Sequence, residues 1–324
     1  MKSSSLKISL VVPLYNEENS LGKLVESISR QTFQPDEIIL VDGGSTDKTV
    51  EVFEELCSRN PVYKLVKTER ATPGKGRNIG IENARNEWIA LTDAGIKLND
   101  DWLENLLQIV EENPSTVVVY GNFAPTVKNL FEKCAAFAYV YPQGENGIRG
   151  KFIASSLIKK EVWQKVGSFP DLRAAEDLMF MEEIERQGFS VAYAPKAMVY
   201  WQLRPDIFST FRKFVLYSKH NVWINRQWDW HYGIVKQYLL VLPFLILTFL
   251  HSPWWLFGIV GWLLARTAKR ISKHNHEFGW SAVFNPFIFF GTMFLILTID
   301  VATFIGWIQA ILQKKPDNLT ETHA

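Results

Sequence analysis

Short apolar segments alternate with segments of helical spacing over roughly the first hundred residues of the chain. Each apolar segment stops at a group of polar residues, which is typical of a buried β-strand that ends in a loop. Alternation of strands and helices predicts a mostly parallel sheet with helices on both faces, and therefore an α/β fold. The predicted strands are residues 7–14, 37–41, 62–67 and 88–92.

The carboxyl ends of the predicted strands carry polar side chains suited to a ligand site. Asn16 and Glu17 follow the first strand, Asp42 follows the second, and Asp93, within the run WIALTDAG, follows the fourth. Ligands of open α/β sheets bind just beyond the carboxyl ends of the strands. Asp93 is therefore placed to meet a polar ligand or a metal, although a turn aspartate that caps the next helix fits the same position.

A glycine-rich basic loop, TPGKGRN at residues 72–78, adds Lys75 and Arg77 and precedes a predicted helix at 78–84. Carboxylates and amides suit a ribose and a base edge, whereas Lys and Arg suit a diphosphate. These residue types together predict a nucleotide crevice. The sequence contains no G-x-G-x-x-G or Walker lysine loop here, so a dehydrogenase-type or P-loop-type site is not expected.

The composition limits the other classes of function. The chain has 324 residues, which is enough for one large domain with an appendage. Its net charge of +1 lacks the basic surplus that is typical of a nucleic-acid-binding protein. Cys57 and Cys134 lie far apart without metal-like spacing, which fits a reduced cytosolic environment. The apolar run at residues 8–12 is too short for the core of a signal peptide.

The polar motifs at these strand ends resemble those of glycosyltransferase family 2, whose members have the GT-A fold. The motifs that carry the resemblance are PLYNEE at 13–18, VDGGSTD at 41–47, GKGRN at 74–78 and TDA at 92–94. Further motifs, at 152–156, 161–169 and 175–177, resemble the acceptor-side half of the family and follow in the family's order. The resemblance covers about residues 6–220.

The resemblance implies a nucleotide-diphosphate sugar as the donor. Asp42 would contact the base, Lys75 and Arg77 would lie near the base and the phosphates, and Asp93 would face the ribose and the diphosphate. The residues implied to bind the nucleotide-sugar are Pro13, Tyr15, Asn16, Glu17, Asp42, Lys75, Arg77 and Asp93.

The metal site implied by the resemblance is incomplete. Asp93 matches the first aspartate of the family's Asp-X-Asp element, but Gly95 stands where the family has the second, the usual ligand of Mg²⁺ or Mn²⁺. Divalent ions of this kind need oxygen ligands. Either the ion is bound through Asp93, the phosphates and water, or a cationic side chain such as Arg77 replaces it.

Asp177 matches the family's catalytic base, with Glu176 beside it. Inverting sugar transfer needs a carboxylate that takes the proton from the acceptor hydroxyl as this attacks the anomeric carbon. Glu176 would help to set the position and the pKa of Asp177. Two adjacent carboxylates at a helix start also fit a purely capping role.

Trp201 and Arg204 are candidate acceptor or diphosphate contacts. Processive members of the family carry a Gln-X-X-Arg-Trp motif near this point, whereas this chain has Gln-Leu-Arg-Pro at 202–205. The difference disfavours processive synthesis. The residues that follow also fit an amphipathic helix lying against a membrane, at about 206–225.

Long apolar runs begin beyond about Asn225 and predict membrane helices at 232–250, 254–267 and 284–312. Asp300 is costly in lipid, so we expect it to face the other helices or a lipid headgroup. By the positive-inside rule, a basic loop before the last helix predicts a cytosolic catalytic domain, although Lys314 and Lys315 weaken that argument. The basic residues of this loop are Arg266, Lys269, Arg270 and Lys273.

The predicted organisation has three parts: a cytosolic GT-A domain at 1–225, a membrane domain at 232–313 with about three transmembrane helices, and a disordered tail at 314–324. The predicted function is inverting transfer of a sugar to a lipid-linked or glycan acceptor at the cytosolic membrane face. Membrane lipids are expected partners, and nucleic acid is not. A processive polysaccharide synthase and a non-catalytic nucleotide-binding pseudoenzyme remain alternatives.

Overall fold

The computed structural model describes residues 6–313, so the predicted disordered tail lies outside the described residues. Within them, the chain forms two compact units. The first unit contains residues up to 124 together with 144–202, and the second contains 125–143 together with the residues from 203 onward. The second unit therefore takes in a segment that the sequence assigned to the catalytic domain.

The first unit is built on an eight-stranded sheet with the order β3-β2-β1-β4-β7-β6-β8-β5. Strand β1 pairs in parallel with β2 and β4, and β2 pairs in parallel with β3. Strand β7 is antiparallel to β4 and β6, and β5 is antiparallel to β8. The strands are β1 (Ile8–Leu14), β2 (Glu37–Asp42), β3 (Tyr63–Lys67), β4 (Trp88–Leu91), β5 (Ile96–Leu98), β6 (Val118–Thr126), β7 (Ser156–Lys159) and β8 (Val191–Gln202).

Helices cover both faces of this sheet because successive strand residues point to opposite sides. Leu10 and Val12 pack in one core cluster with Leu24 of a helix, and Val11 packs in a second cluster with Ile81 of another. The predicted α/β fold is confirmed. The helices of the first unit are α1 (Leu21–Ser29), α2 (Thr49–Arg59), α3 (Pro73–Asn83), α4 (Trp102–Glu112), α6 (Lys160–Val166) and α7 (Glu176–Arg186).

Helix α3 begins at Pro73, so the prediction of a glycine-rich loop up to residue 78 was wrong. The Thr72 side chain caps the helix by accepting a hydrogen bond from the Lys75 amide, and proline is favoured at the first helical position. The glycines serve packing: a Cβ at Gly80 would lie 2.3 Å from Cγ1 of Val11 on β1. The absence of a side chain therefore lets α3 approach β1 closely.

Strand β8 is continuous from Val191 to Gln202, across a proline. Pro195 lies inside it and lacks a backbone N–H, but its carbonyl still accepts a hydrogen bond from Nδ2 of Asn122 at 3.3 Å. The proline therefore removes one donor without ending the strand.

The second unit is helical, and two of its helices, α9 and α13, are long and apolar enough to cross a membrane. The span predicted at 254–267 falls in a 3₁₀ turn and in the following helix α10, which has 17 residues. The prediction that Arg266, Lys269 and Arg270 lie in a loop was wrong, because all three lie within α10. The helices are α5 (Leu130–Tyr139), α8 (Ile207–Trp223), α9 (Gln227–Leu250), α10 (Leu256–Ser272), α11 (Asn275–Phe278), α12 (Ser281–Phe284) and α13 (Pro286–Leu312), with a 3₁₀ turn at Pro253–Trp255.

Asp300 of α13 is buried among the other helices rather than exposed at a lipid headgroup. Its Oδ1 accepts a hydrogen bond from Nη2 of Arg266 on α10 at 2.9 Å, and its Oδ2 accepts one from the Tyr238 hydroxyl on α9 at 2.9 Å. A buried carboxylate needs such partners because an unpaired charge is costly in an apolar environment. The interaction therefore links three helices through one side chain.

Substitution of Gly80 by alanine tests the close packing of α3 on β1. We expect Gly80→Ala to lower the free energy of unfolding by about 1–3 kcal/mol, because the added methyl group overlaps Val11. Gly22 of α1 is the matched control, since a Cβ there meets nothing within 4 Å. Gly22→Ala should raise stability by about 0.4–1 kcal/mol. Thermal unfolding of the purified protein in detergent measures both, and equal midpoints for the two variants would contradict the packing argument.

Candidate nucleotide-sugar site

The predicted donor residues meet at the carboxyl edge of the parallel half of the sheet. Leu14 at the end of β1 is in register with Asp42 at the end of β2, and β4 lies on the other side of β1. The segments that leave β1, β2 and β4 therefore emerge side by side. They carry Asn16 with Glu17, Asp42, and Asp93, respectively.

The loops after β1 and β2 are joined by hydrogen bonds. Asn16 adopts a left-handed backbone conformation with φ of 54°, which asparagine tolerates better than most residues. Its side-chain Oδ1 accepts a hydrogen bond from the Thr46 backbone amide at 2.8 Å, and its backbone amide donates one to the Ser45 hydroxyl at 2.9 Å. The Glu17 amide donates to the Thr49 hydroxyl at 2.8 Å. These bonds fix the two loops before any ligand binds.

Asp42 is buried, with 2% of its surface exposed, and it shapes the loop that follows it. Its Oδ2 accepts from the amides of Gly44 at 3.0 Å and Ser45 at 3.1 Å. Gly44 has φ of 87°, and a Cβ there would lie 2.1 Å from the Glu69 carbonyl oxygen. A carboxylate offers about four acceptor positions, so these bonds leave capacity for a further donor. The predicted base contact of Asp42 stays a prediction.

Three further candidates differ in how they are placed at this edge. Pro13 is half-buried and lies against α3, where a Cβ at Gly76 would be 3.0 Å from the Pro13 Cβ. Tyr15 is exposed beyond the end of β1. Lys75 is exposed in the first turn of α3. The exposed side chains of Tyr15 and Lys75 are accessible to a ligand.

Arg77 is buried and bridges two carboxylates, instead of facing solvent in a basic loop. Its Nη2 lies 2.7 Å from Oδ1 of Asp93, and its Nη1 lies 3.0 Å from Oε1 of Glu176. Although burial lowers the pKa of Arg77, the charges of Asp93, Glu176 and Asp177 raise it above its usual value. The guanidinium therefore stays charged and links the donor-side aspartate to the residue beside the candidate base.

Close packing and a loop fixed by Asn78 hold α3 against the start of α7. A Cβ at Gly74 would lie 2.5 Å from the Pro170 carbonyl oxygen and 3.0 Å from Cγ of Glu176. The Asn78 side chain accepts from the Phe169 amide at 2.8 Å and donates to the Phe169 carbonyl at 2.8 Å. Asn78 belongs to the motif GKGRN, for which the sequence alone predicts no role of this asparagine. Its position beside Arg77 in a glycine-rich helix start was the available signal.

Glu176 and Asp177 lie in the first turn of α7 but face different surroundings. Glu176 is 6% exposed, and its burial together with the charge of Asp177 raises its pKa to about 7, against the opposing effect of Arg77. Asp177 is half-buried, and its Oδ1 accepts from the Leu178 amide at 2.8 Å. Ala175 precedes the pair with φ of 69°, a strained conformation for alanine. Of the two carboxylates, Asp177 is the one more open to a substrate hydroxyl.

The protein supplies few ligands for a divalent ion at this edge. Residues 6–313 contain no group of three or more His, Cys, Asp or Glu side chains that could hold a metal. Asp93 is 38% exposed, and its Oδ1 pairs with Arg77. Mg²⁺ is commonly bound by one or two carboxylates together with substrate phosphates. The donor set therefore fits a metal that is held jointly by Asp93 and a diphosphate.

The two candidate acceptor residues belong to different units. Trp201 is half-buried in β8 and pairs with Ile96 of β5 in the first unit. Arg204 belongs to the second unit, where its side chain is exposed and its amide donates to the Tyr139 hydroxyl at 3.3 Å. Their acceptor role stays a prediction.

An α/β sheet with acidic residues at its carboxyl edge and a carboxylate pair at the start of α7 defines a GT-A-type glycosyltransferase. Residues 9–155 match the sequence model of the family described as Glycosyl transferase family 2. The chain belongs to this family, and the resemblance seen in the sequence is confirmed.

Two relatives show the range of the family around this chain. The chain is 30% identical over 220 residues to Glycosyltransferase GlyG of Streptococcus pneumoniae. This alignment covers 67% of this chain and 68% of that protein. It is 26% identical over 318 residues to poly-β-1,6-N-acetyl-D-glucosamine synthase of Staphylococcus epidermidis. This alignment covers 92% of this chain and 73% of that protein. The relatives therefore include a polysaccharide synthase.

A solved structure supports the fold. The mannosyltransferase PcManGT from Pyrobaculum calidifontis, solved in complex with GDP-Man and Mn²⁺, matches with a TM-score of 0.58. The match covers 95% of this chain and 88% of that chain at 18% sequence identity. At this identity the likeness supports the fold alone.

Restoring the second aspartate tests whether Gly95 limits metal binding. Gly95 is exposed, and a Cβ there meets nothing within 4 Å, so Gly95→Asp fits without rearrangement. We expect the added carboxylate to tighten Mn²⁺-dependent binding of a nucleoside diphosphate about tenfold, because ligand charge sets the affinity of such sites. Thermal stabilisation by UDP, GDP, dTDP and CDP, with Mn²⁺ titrated, measures the effect.

Gly95→Asn is the matched control because it adds nearly the same shape without the charge. It should leave the Mn²⁺ dependence close to that of the unchanged protein. If Gly95→Asp and Gly95→Asn behave alike, residue 95 does not reach the metal, and the interpretation that Gly95 limits metal binding fails.

Proposed function

We propose that this glycosyltransferase is an inverting enzyme that moves a sugar from a nucleoside-diphosphate sugar to a lipid-linked or glycan acceptor at the cytosolic membrane face. The observation that carries the proposal is the chain of contacts from Asp93 through Arg77 to Glu176. It connects the donor edge of the sheet to the first turn of α7, where Asp177 lies next to Glu176. One buried cation thus holds the donor-side carboxylate Asp93 and the carboxylate next to the proposed base.

Asp177 is the general base in this proposal. Its carboxylate takes the proton from the acceptor hydroxyl as the hydroxyl oxygen attacks the anomeric carbon, on the side opposite the departing diphosphate. Glu176 is a positioning residue, because its carboxylate faces Arg77 rather than solvent. An acceptor oxygen that attacks from the opposite side inverts the configuration at the anomeric carbon.

The donor diphosphate is held by residues at the sheet edge. Lys75 is placed to attract the phosphates, and Asp93 would hold Mg²⁺ or Mn²⁺ together with them. When bound, such an ion supplies positive charge to the leaving diphosphate. Asn16, Glu17 and Asp42 would contact the nucleoside, in loops that are already fixed by hydrogen bonds.

Membrane association is proposed from the apolar surface of the second unit. Helices α9 and α13 are long and apolar enough to cross a membrane. In water, a large exposed apolar surface of this kind would favour aggregation, whereas lipid satisfies it. We propose a multi-pass protein whose catalytic unit faces the cytosol. The exposed apolar side chains of α9 include Leu239, Leu240, Leu242, Leu245, Ile246, Phe249 and Leu250.

Substitution of Asp177 tests the proposed base. Asp177→Asn should lower the rate of sugar transfer by about 10²-fold or more, because asparagine cannot accept the proton. Nucleoside-diphosphate binding should be unchanged, since the donor-side contacts of Asp93 and Arg77 remain. The measurement is release of nucleoside diphosphate in the presence of a membrane extract as acceptor source, with binding followed separately by thermal stabilisation.

Glu183→Gln is the control, because Glu183 lies on the same helix and pairs with Arg186 at the surface. Its transfer rate should match that of the unchanged protein. Full turnover by Asp177→Asn would remove Asp177 from the reaction. Binding of a nucleoside diphosphate without any turnover by the unchanged protein would favour the pseudoenzyme.

A processive polysaccharide synthase is the second candidate function. The relative from Staphylococcus epidermidis, a polysaccharide synthase, aligns with 92% of this chain. The sequence Gln-Leu-Arg-Pro at 202–205 differs from the Gln-X-X-Arg-Trp motif of processive members. Product length separates the candidates: a single added sugar supports the first, and a ladder of polymers supports the second.

A further inference from the structure

Lys213 of α8 lies between two tyrosine rings of the second unit. Its Nζ is 5.5 Å from the centroid of the Tyr139 ring and 5.4 Å from that of Tyr217. A cation at this distance from an aromatic face is attracted by the ring quadrupole. The side chain is therefore held in one place rather than moving freely in solvent.

A second cation, Arg204, is associated with the same tyrosine. The Arg204 amide donates to the Tyr139 hydroxyl at 3.3 Å, which fixes the backbone of Arg204 beside this ring. Burial of Lys213, together with the smaller effect of the positive charge of Arg204, lowers its pKa to about 8. Two like charges held close together repel each other, and an anion bound beside them would relieve this repulsion.

The walls around Lys213 are aromatic and packed. Phe214 meets the Tyr139 ring edge-on with centroids 5.4 Å apart, and Trp230 meets the Tyr217 ring edge-on at 6.1 Å. Apolar walls exclude water, which strengthens the attraction between an ammonium group and an anion.

Helix α8 is a rigid support for this cluster because it packs closely on α13. A Cβ at Gly306 would lie 2.4 Å from the Val215 carbonyl oxygen. The Ser218 hydroxyl donates to the Thr303 carbonyl at 2.6 Å. Small residues and interhelical hydrogen bonds of this kind are typical of close helix pairs in membranes.

We propose that Lys213 and Arg204 bind the phosphate group of a lipid phosphate, with the tyrosine and tryptophan rings against the first carbons of its chain. Lys and Arg bind phosphate through charge-assisted hydrogen bonds. The lipid source is favoured over free phosphate because α9, with its exposed apolar side chains, begins four residues after α8 ends. Binding of the lipid phosphate does not depend on the proposed function. Only the role of this lipid as the sugar acceptor rests on it.

Binding of farnesyl phosphate to the full-length protein in detergent tests the proposal. We expect farnesyl phosphate to bind, and Lys213→Gln to weaken its binding at least about tenfold, since removing one partner of a desolvated charge pair is costly. Arg204→Gln should weaken it as well, and Lys213→Arg should retain most of it because the charge is kept. Isothermal titration calorimetry without any sugar donor measures the dissociation constants.

Lys219 supplies the matched control on the same helix. Its Nζ lies 5.0 Å from the centroid of the Trp223 ring and donates to Oε1 of Gln313 at 2.6 Å. Lys219→Gln therefore removes a comparable lysine outside the proposed site and should leave the affinity unchanged. An equal loss in Lys213→Gln and Lys219→Gln would show a general charge effect and overturn the proposal.

Two further ligands separate the sources of the phosphate. Farnesol should not compete with farnesyl phosphate, and inorganic phosphate should compete only weakly. Inorganic phosphate that binds as tightly as farnesyl phosphate would overturn the lipid assignment, and absence of farnesyl phosphate binding by the unchanged protein would overturn the site.

Separate control measurements report on the folding of each variant and on sugar transfer. Helical circular dichroism and thermal unfolding of the full-length protein in detergent show whether the helical second unit of each variant is folded. If Lys213→Gln is not folded, the comparison of Arg204→Gln with Lys219→Gln decides. Intact farnesyl phosphate binding in a protein without sugar transfer would reject the proposed function and leave this lipid phosphate site in place.

Discussion

The ion pairs of Arg77 are the interaction on which the candidate site depends. One buried guanidinium lies within 3.0 Å of carboxylates from two parts of the first unit, Asp93 beyond β4 and Glu176 at the start of α7. Leaving a buried charge without its partner costs about 3–5 kcal/mol, so neither carboxylate can move away from Arg77 cheaply. The donor edge of the sheet and the helix that carries Asp177 are thereby held at a fixed separation.

The packing of α3 makes this arrangement possible. Arg77 reaches both carboxylates because its helix lies against β1 and against the start of α7, and glycines at 74, 76 and 80 remove the side chains that would prevent this approach. Asn78 fixes the loop at Phe169, whose ring lies 5.6 Å from the Arg77 guanidinium carbon. The glycines of this helix therefore act through packing, and the phosphate contacts proposed above are those of Lys75 and, through a metal ion, Asp93.

The sequence was sufficient to predict the first four strands, but not the pairing of charges. Strands such as β1 and β2 were predictable because their apolar runs are short and end on polar residues. Burial of Arg77 was not predictable, since Asp93 and Glu176 lie 16 and 99 positions away along the chain. The pairing of Arg266 with Asp300 was missed for a similar reason, because the two residues lie on different helices.

A double-mutant cycle on Arg77 and Glu176 tests the central claim most directly. The thermal unfolding midpoint and the transfer rate would be measured for Arg77→Met, for Glu176→Gln and for the double variant. We predict that Arg77→Met is strongly destabilising and that adding Glu176→Gln recovers part of the loss, with a coupling of about 1–3 kcal/mol. Independent, additive effects would show that Arg77 and Glu176 do not act as a pair and would contradict the account.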